Sequence, residues 1–518
     1  MKQLSGLDAG FLYMETPTTY GHVSGLGIYE RPDKSFSPYE TFRGRVEERI
    51  GLLEPMRRRL APVPFDLDHP YWIEDPALDL DFHIRHIAVP PPGGDKELAA
   101  LVSRIIGRHL DRNHPLWEAY VIEGLDHDRW ALLTKVHHAT IDGAAGADFL
   151  TMLLDLDPTA KPEVPPLPAT EPVPSSAEML WRTATNNFSR PWRMAKAQQR
   201  LFQDSYEIWS RQGFQWPGTN PKPDDTPSTG SKLKAVGSAA TTSAPPTPFN
   251  RSIGPNRRFA FASSRLEDIK ALKNVTNATV NDVIMAVCGG ALRQYLINHD
   301  SPVDRPLVAG VPVSLRTGDE TERWTNRVSM IVAELPVHLE HPLERIAAAQ
   351  ASMNQAKTSF GALPADALQD FTQFSPPAVF TTASRLMTQL HLGDRGNQPM
   401  NLVVSNVPGP RVPLYLGGAP MVHYYPVSTV AEGQGLNITV QSYQDELDFG
   451  LVGDRELVPD IWDLMTLITD EIDALMEATA SLRAAEPAKQ AKAKKPAAKK
   501  PAAKKPAAKK PRATDKTP

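Results

Sequence analysis

The chain has 518 residues, 41% hydrophobic and 22% charged, a globular composition with length for two to four domains. Its single cysteine, Cys288, excludes an internal disulfide framework and fits a reducing compartment. The net charge of −4 hides an asymmetry: residues 484–518 carry twelve Lys and Arg against Glu486 and Asp515, net +10, which leaves −14 on residues 1–483. The first residues hold no apolar core of signal-peptide length, and no run of about 18 uninterrupted apolar residues occurs. A cytoplasmic protein without a leader or a membrane span is therefore expected.

In chain order, residues 39–52 have helical spacing, with Phe42, Val46 and Ile50 at four-residue steps. Residues 98–110 follow the same pattern. Apolar runs at 119–124 and 130–136 flank Leu125-Asp126-His127-Asp128-Arg129, a spacing that predicts a hairpin. Its far end carries His137 and His138. Residues 144–154 read as a helix leaving that point. A proline-rich connector occupies 156–177. Residues 178–212 are helical in pattern, with an aromatic stripe of Trp181, Phe188, Trp192, Phe202, Tyr206 and Trp209. Pro191 should kink this helix or restart it, with Ser189 as a cap. Residues 217–256 are rich in Pro, Ser, Thr and Gly and read as a long surface crossover. A second mixed segment then shows helices at 266–273 and 281–296 and strands at 302–311 and 402–404. The tail repeats Pro-Ala-Ala-Lys-Lys from Pro496, Pro501 and Pro506, which blocks a stable helix and offers nothing to bury; it is expected to be disordered. The expected class is α/β, with halves at 1–155 and 257–482, a connector at 156–256 and a tail at 483–518.

The most informative run is Val136-His137-His138-Ala139-Thr140-Ile141-Asp142-Gly143. Histidine titrates near neutrality, with an unperturbed pKa of roughly 6.5. Held at a strand end, a neutral imidazole can take the proton of an attacking alcohol. Adjacent residues at a strand end point opposite ways, so only one should face a reaction centre. His138 is the candidate base and His137 the lesser one. Gly143 permits a tight turn. No Gly-x-Ser-x-Gly elbow is present, and Cys288 lies in a predicted helix as a small apolar filler. The competing reading makes both histidines structural or metal-binding. A zinc site more often uses helical His-x-x-x-His or paired cysteines, and neither occurs, so no metal and no cofactor are expected.

The pattern His-His-x-x-x-Asp-Gly resembles the active-site signature of CoA-dependent acyltransferases. Further segments resemble the bacterial wax ester synthase/diacylglycerol acyltransferase family. They are Leu4-Ser5-Gly6-Leu7-Asp8-Ala9-Gly10-Phe11-Leu12 with Glu15, then Pro115-Leu116-Trp117, Asn281-Asp282-Val283-Ile284, and Ser405-Asn406-Val407-Pro408-Gly409-Pro410. Two departures stand out: Gly21 precedes His22 where the pattern has methionine, and Thr325 precedes Asn326 where it often has glycine. The resemblance implies two chloramphenicol-acetyltransferase-like domains with a channel between them. It implies transfer of a long acyl chain from acyl-CoA, a substrate, to diacylglycerol or a fatty alcohol. Asp142 then anchors the histidine loop, with Arg316 as its suggested partner, rather than relaying a proton. Pro115, Leu116, Trp117, Asn281, Asp282 and Asn406 are candidates for shaping the channel. Trp117 reads first as a core aromatic and Asn281 as a helix cap, with Asp282 suited to the positive helix end.

A lipid acceptor implies a peripheral place at a membrane or lipid droplet. The aromatic stripe suits an interfacial helix or packing between the halves. The basic tail suits an anionic lipid surface, nucleic acid or plain solvation. A non-catalytic lipid- or nucleic-acid-binding homologue is the alternative from another class.

Overall fold

The computed structural model describes residues 1–141, 152–159, 174–185, 244–314, 328–360, 377–395, 398–480 and 482. The expected tail, most of the 156–256 connector and the helix at 144–151 lie outside these residues.

The first half contributes β1 (Lys2–Gln3), β2 (His22–Glu30), β3 (Arg58–Ala61), β4 (Tyr71–Glu74), β5 (Ile84–Ala88), β6 (Trp117–Glu123) and β7 (Arg129–His137). The second contributes β8 (Arg257–Arg265), β9 (Leu307–Ser314), β10 (Val328–Leu335), β11 (Leu402–Val407), β12 (Tyr415–Leu416), β13 (Ala419–Val427), β14 (Leu436–Tyr443) and β15 (Glu446–Asp454). Two six-stranded sheets form, in the orders β12-β13-β2-β7-β6-β5 and β10-β9-β11-β14-β15-β8, with a small sheet β1-β4-β3 beside them. Strands β12 and β13 thus belong to the second half by sequence and to the first sheet by pairing. That exchange ties the halves together. Gly450 permits it: a Cβ there would overlap the Pro426 carbonyl of β13.

Helices cover the sheets for local reasons. Asp95–Ile106 starts where the Glu97 side chain accepts the Gly94 N–H at 3.1 Å. Its stripe of Leu98, Val102, Ile105 and Ile106 is buried, and it packs on β8 of the other half. Val280–Asn298 is buried nearly all round because helices Pro342–Phe360 and Ile461–Ala478 flank it. Among the described residues no single helix is long and apolar enough to cross a membrane.

The predicted hairpin is present as β6 and β7, antiparallel from Trp117↔Val136 to Ile122↔Ala131. The helices expected at 39–52 and 98–110 form as Pro38–Arg49 and Asp95–Ile106. The strand expected from 302 begins only at Leu307. Pro302 and Pro306 in the lead-in offer no N–H to a ladder. The cap expected at Asn281 is instead Thr279, whose hydroxyl accepts the Asp282 N–H at 3.2 Å while the Asp282 carboxylate accepts the Thr279 N–H at 2.7 Å. Threonine followed three residues later by an acid closes a reciprocal pair that Asn281 cannot. Asp282 sits in the first helical turn, as expected.

Candidate active site

Strand β7 is buried along nearly its whole length, and its pairing to β2 and β6 on either side fixes its register. His137 ends the strand, opposite His22 of β2. The chain then turns: the His137 carbonyl accepts the Thr140 N–H at 2.8 Å, and the His138 N–H donates to the Gly21 carbonyl at 2.8 Å. The Leu116 carbonyl accepts the His137 N–H at 2.9 Å. Two segments singled out in the sequence, around Pro115 and around the histidines, are therefore bonded directly.

The two imidazoles have different partners, His137 at the strand end and His138 in the turn after it. His137 is 1% exposed; its Nε2 lies 3.3 Å from Glu15 Oε1, and its Nδ1 accepts the Ala139 N–H at 3.0 Å. Its Nδ1 is hydrogen-bonded, while its Nε2 faces the Glu15 carboxylate at ion-pair distance without an aligned hydrogen bond. His138 is half-buried and stacks on Phe11, with ring centroids 4.0 Å apart and 15° between planes. Phe11 and Glu15 come from the opening motif.

Charge is arranged around this turn. The Glu15 carboxylate accepts the Gly21 N–H at 2.9 Å and meets Arg112 Nη2 at 2.7 Å and His109 Nδ1 at 3.5 Å. Burial alone would raise its pKa; the hydrogen bonds from His109 and His137, with the Arg112 charge, outweigh burial and hold the carboxyl far below the usual range. Two residues before His137, Lys135 is fully buried. Its Nζ donates to the Arg108 carbonyl at 2.6 Å and lies 3.5 Å from Glu118 Oε2. Burial lowers its pKa to about 8. Burial, then the nearby Lys135 charge, pushes His22 well below the ordinary histidine range, and its Nε2 sits 3.0 Å from the Ile106 carbonyl.

Trp117 is core, as expected: 2% exposed, with its Nε1–H donated to the Met56 carbonyl at 2.8 Å and its ring stacked on His83. Leu116 and Pro115 are buried beside it. Asn281 and Asn406 meet in the second half, where Asn406 Nδ2 donates to Asn281 Oδ1 at 2.6 Å. Asn406 belongs to the second sheet and His137 to the first. Asp142, Gly143 and Arg316 lie outside the described residues. Among the described residues no group of three or more His, Cys, Asp or Glu side chains could hold a metal ion.

A separate cavity of about 430 Å³ touches the opposite end of β7, with Arg129, Asp95, Ser263, His423, Tyr425 and Trp462 in its wall. Ser263 Oγ donates to Asp448 at 2.6 Å. His423 Nδ1 lies 3.1 Å from that serine and 3.2 Å from that aspartate. Serine and aspartate meet the same ring nitrogen, so this is not a nucleophilic triad, which uses both. It cross-links β13 to β8 and β15.

Comparison with known proteins identifies the family. Residues 4–284 match the model of the wax ester synthase/diacylglycerol acyltransferase catalytic domain, and residues 324–476 match that of the WS/DGAT C-terminal domain. A Mycobacterium tuberculosis protein named as a diacylglycerol O-acyltransferase is 34% identical over 92% of this chain and 91% of its own. The O-acyltransferase WSD of Acinetobacter baylyi is 34% identical over 91% of this chain and 96% of its own. The solved wax ester synthase/diacylglycerol acyltransferase of Marinobacter aquaeolei VT8 is 29% identical and superposes with a TM-score of 0.63, covering 92% of this chain and 100% of that one. A starter condensation domain of rhizomide synthetase, 13% identical, shares the fold with a TM-score of 0.51 over 92% of this chain and 94% of its own. The two halves are thus the paired α/β units expected of a chloramphenicol-acetyltransferase-like fold. By family models matched in order along most of its length, the chain belongs to the wax ester synthase/diacylglycerol acyltransferase family and is an acyltransferase.

Proposed function

We propose that the chain moves a long-chain acyl group from acyl-CoA to the hydroxyl of diacylglycerol, forming triacylglycerol, with His138 as general base. The observation that carries this is the different surroundings of the two histidines. His137 is 1% exposed and held between Glu15 and the Ala139 N–H, while half-buried His138 stacks on Phe11. The acceptor oxygen attacks the thioester carbonyl carbon as its proton passes to His138. Collapse of the tetrahedral intermediate breaks the C–S bond, and the imidazolium returns that proton to the CoA sulfur. No acyl-enzyme is needed. Cys288 is an unsuitable nucleophile, because burial raises its thiol to about 12. In this reading Asp142 pairs with Arg316 to anchor the loop and Gly143 permits its turn. Pro115, Leu116, Trp117, Asn281, Asp282 and Asn406 shape the channel.

A fatty-alcohol acceptor, giving a wax ester, is the second reading; the Marinobacter relative bears both activities in its name. Palmitoyl-CoA with diacylglycerol, hexadecanol or a third hydroxylated lipid separates them, read by CoA release and lipid chromatography. Triacylglycerol as the main product is expected. Wax ester alone supports the second reading, and no turnover with any acceptor contradicts both.

Such an enzyme meets its acceptor at a lipid surface. Helix Pro377–Gln389 packs on helix Gly6–Tyr13. Beside that contact Met14, Leu386, Met387 and Leu390 are 41–48% exposed. The basic tail adds about 1 kcal/mol per Lys or Arg near an anionic surface. Truncation after Arg483 should weaken binding to anionic vesicles; unchanged binding at low salt contradicts this role for the tail.

A further inference from the structure

We infer that Glu15 is the positioning residue of the catalytic turn: it holds the His137 ring, whose tautomer the Ala139 N–H sets, and the turn so formed presents His138. This rests on the assignment of His138 as the base.

The tautomer follows from the partners. The Ala139 N–H points at His137 Nδ1 at 3.0 Å, so that nitrogen must be the acceptor. A proton there would set two donors against each other. The ring proton of neutral His137 therefore sits on Nε2, facing Glu15 Oε1 at 3.3 Å. Glu15 is in turn immobilised. Its side chain is 7% exposed. Arg112 holds the other carboxylate oxygen with Nη2 at 2.7 Å and Nε at 3.2 Å, and Arg112 also donates to the Leu12 carbonyl at 2.6 Å.

The same carboxylate accepts the Gly21 N–H at 2.9 Å, and the Gly21 carbonyl accepts the His138 N–H at 2.8 Å. Glu15 thus reaches the base by two routes: through the His137 ring to the Ala139 amide beyond His138, and through Gly21 to the amide of His138 itself. Gly21 is the departure noted in the sequence, and the structure supplies a reason for it. A Cβ at that position would overlap His137 Nε2 and lie 3.1 Å from Glu15 Cγ. The glycine leaves the space in which carboxylate and imidazole meet.

The test compares Glu15→Ala, Glu15→Gln and His138→Ala in the full chain. Palmitoyl-CoA with diacylglycerol or hexadecanol gives the kinetics, and ¹⁵N-histidine NMR gives the tautomer. A base displaced by about 1 Å loses on the order of 100-fold in rate. Glu15→Ala should therefore lose kcat on that scale with KM nearly unchanged, and the slow-exchange Nε2–H signature of His137 should vanish, the tautomer itself staying with the Ala139 contact. In Glu15→Gln the amide oxygen can face Gly21 and His137 while its NH2 displaces half-exposed Arg112, so the signature should return and kcat recover in part. Undiminished kcat in Glu15→Ala overturns the inference. So does loss of the Nε2–H signature in Glu15→Gln, which reads the contact even if the alanine variant fails to fold. Activity surviving in His138→Ala overturns the base assignment instead, leaving the tautomer measurement to be judged separately.

Discussion

Lys135 and Cys288 are both fully buried and should bend the pH dependence of stability in opposite directions. Burial lowers Lys135 to about 8 from the usual 10.5. Between those values the unfolded chain holds a proton the folded one has released, so stability rises with pH. Burial raises Cys288 to about 12 from 9.0. There the unfolded chain releases its proton first, and stability falls. From pH 7.5 to 9.5 linkage gives a gain of about 2 kcal/mol from Lys135 and a loss of about 1 kcal/mol from Cys288. From these two groups the native chain should therefore gain about 1 kcal/mol across this range. Lys135→Met should lose about 1 kcal/mol of stability as pH rises, and Cys288→Ala should gain about 2 kcal/mol. Urea unfolding at half-unit pH steps measures both. Parallel pH profiles for the native chain and Lys135→Met would show that the ammonium is not desolvated under the histidine turn, and the electrostatic account would fail there.

Three smaller perturbations probe the surroundings. Gly21→Ala forces His137 and Glu15 apart, so it should cost about 1–3 kcal/mol in urea melts and lower kcat with little change in KM; a fully active, equally stable variant contradicts the close approach. Trp117→Phe removes the Nε1–H donor and leaves the Met56 carbonyl without it, costing about 1–3 kcal/mol in the same melts; a neutral result contradicts the buried bond. His423 is pushed down by burial, but the Asp448 hydrogen bond and charge outweigh that and raise it overall, with Glu446 adding to the rise and Arg129 opposing it. Its contribution is therefore fully present below roughly pH 6.5 and lost as pH rises through the folded value. Native stability should fall over that range more steeply than that of His423→Gln, and equal slopes contradict the cross-link.

What could be read from the sequence was local. The β6–β7 hairpin announced itself by two apolar runs around a charged turn, and its length put His137 at the strand end. Strand alternation does not extend to His138, which lies in the turn after β7, so the surroundings of the two rings had to come from the structure. The capping box at Thr279 was legible too, as a threonine three residues before Asp282. Long-range partners were another matter. Glu15 lies 122 positions from His137, and nothing in either segment specifies that they meet. The same holds for Leu116 with the histidine turn and for Ser263, Asp448 and His423, which come from three strands. The pairing of β13 with β2 carries no periodic signature, because an inserted strand alternates like any other. Family resemblance supplied Glu15 and Phe11 as motif members without roles; only packing assigns them.

The central claim is that His138 is the base. Its most direct measurement is single-turnover CoA release by His138→Ala, with palmitoyl-CoA and the acceptor preferred by the native chain, alongside a thermal melt. The single-turnover rate of release should fall by at least about 100-fold, with the melting temperature and acyl-CoA binding preserved. Near-native release from that folded variant would contradict the account.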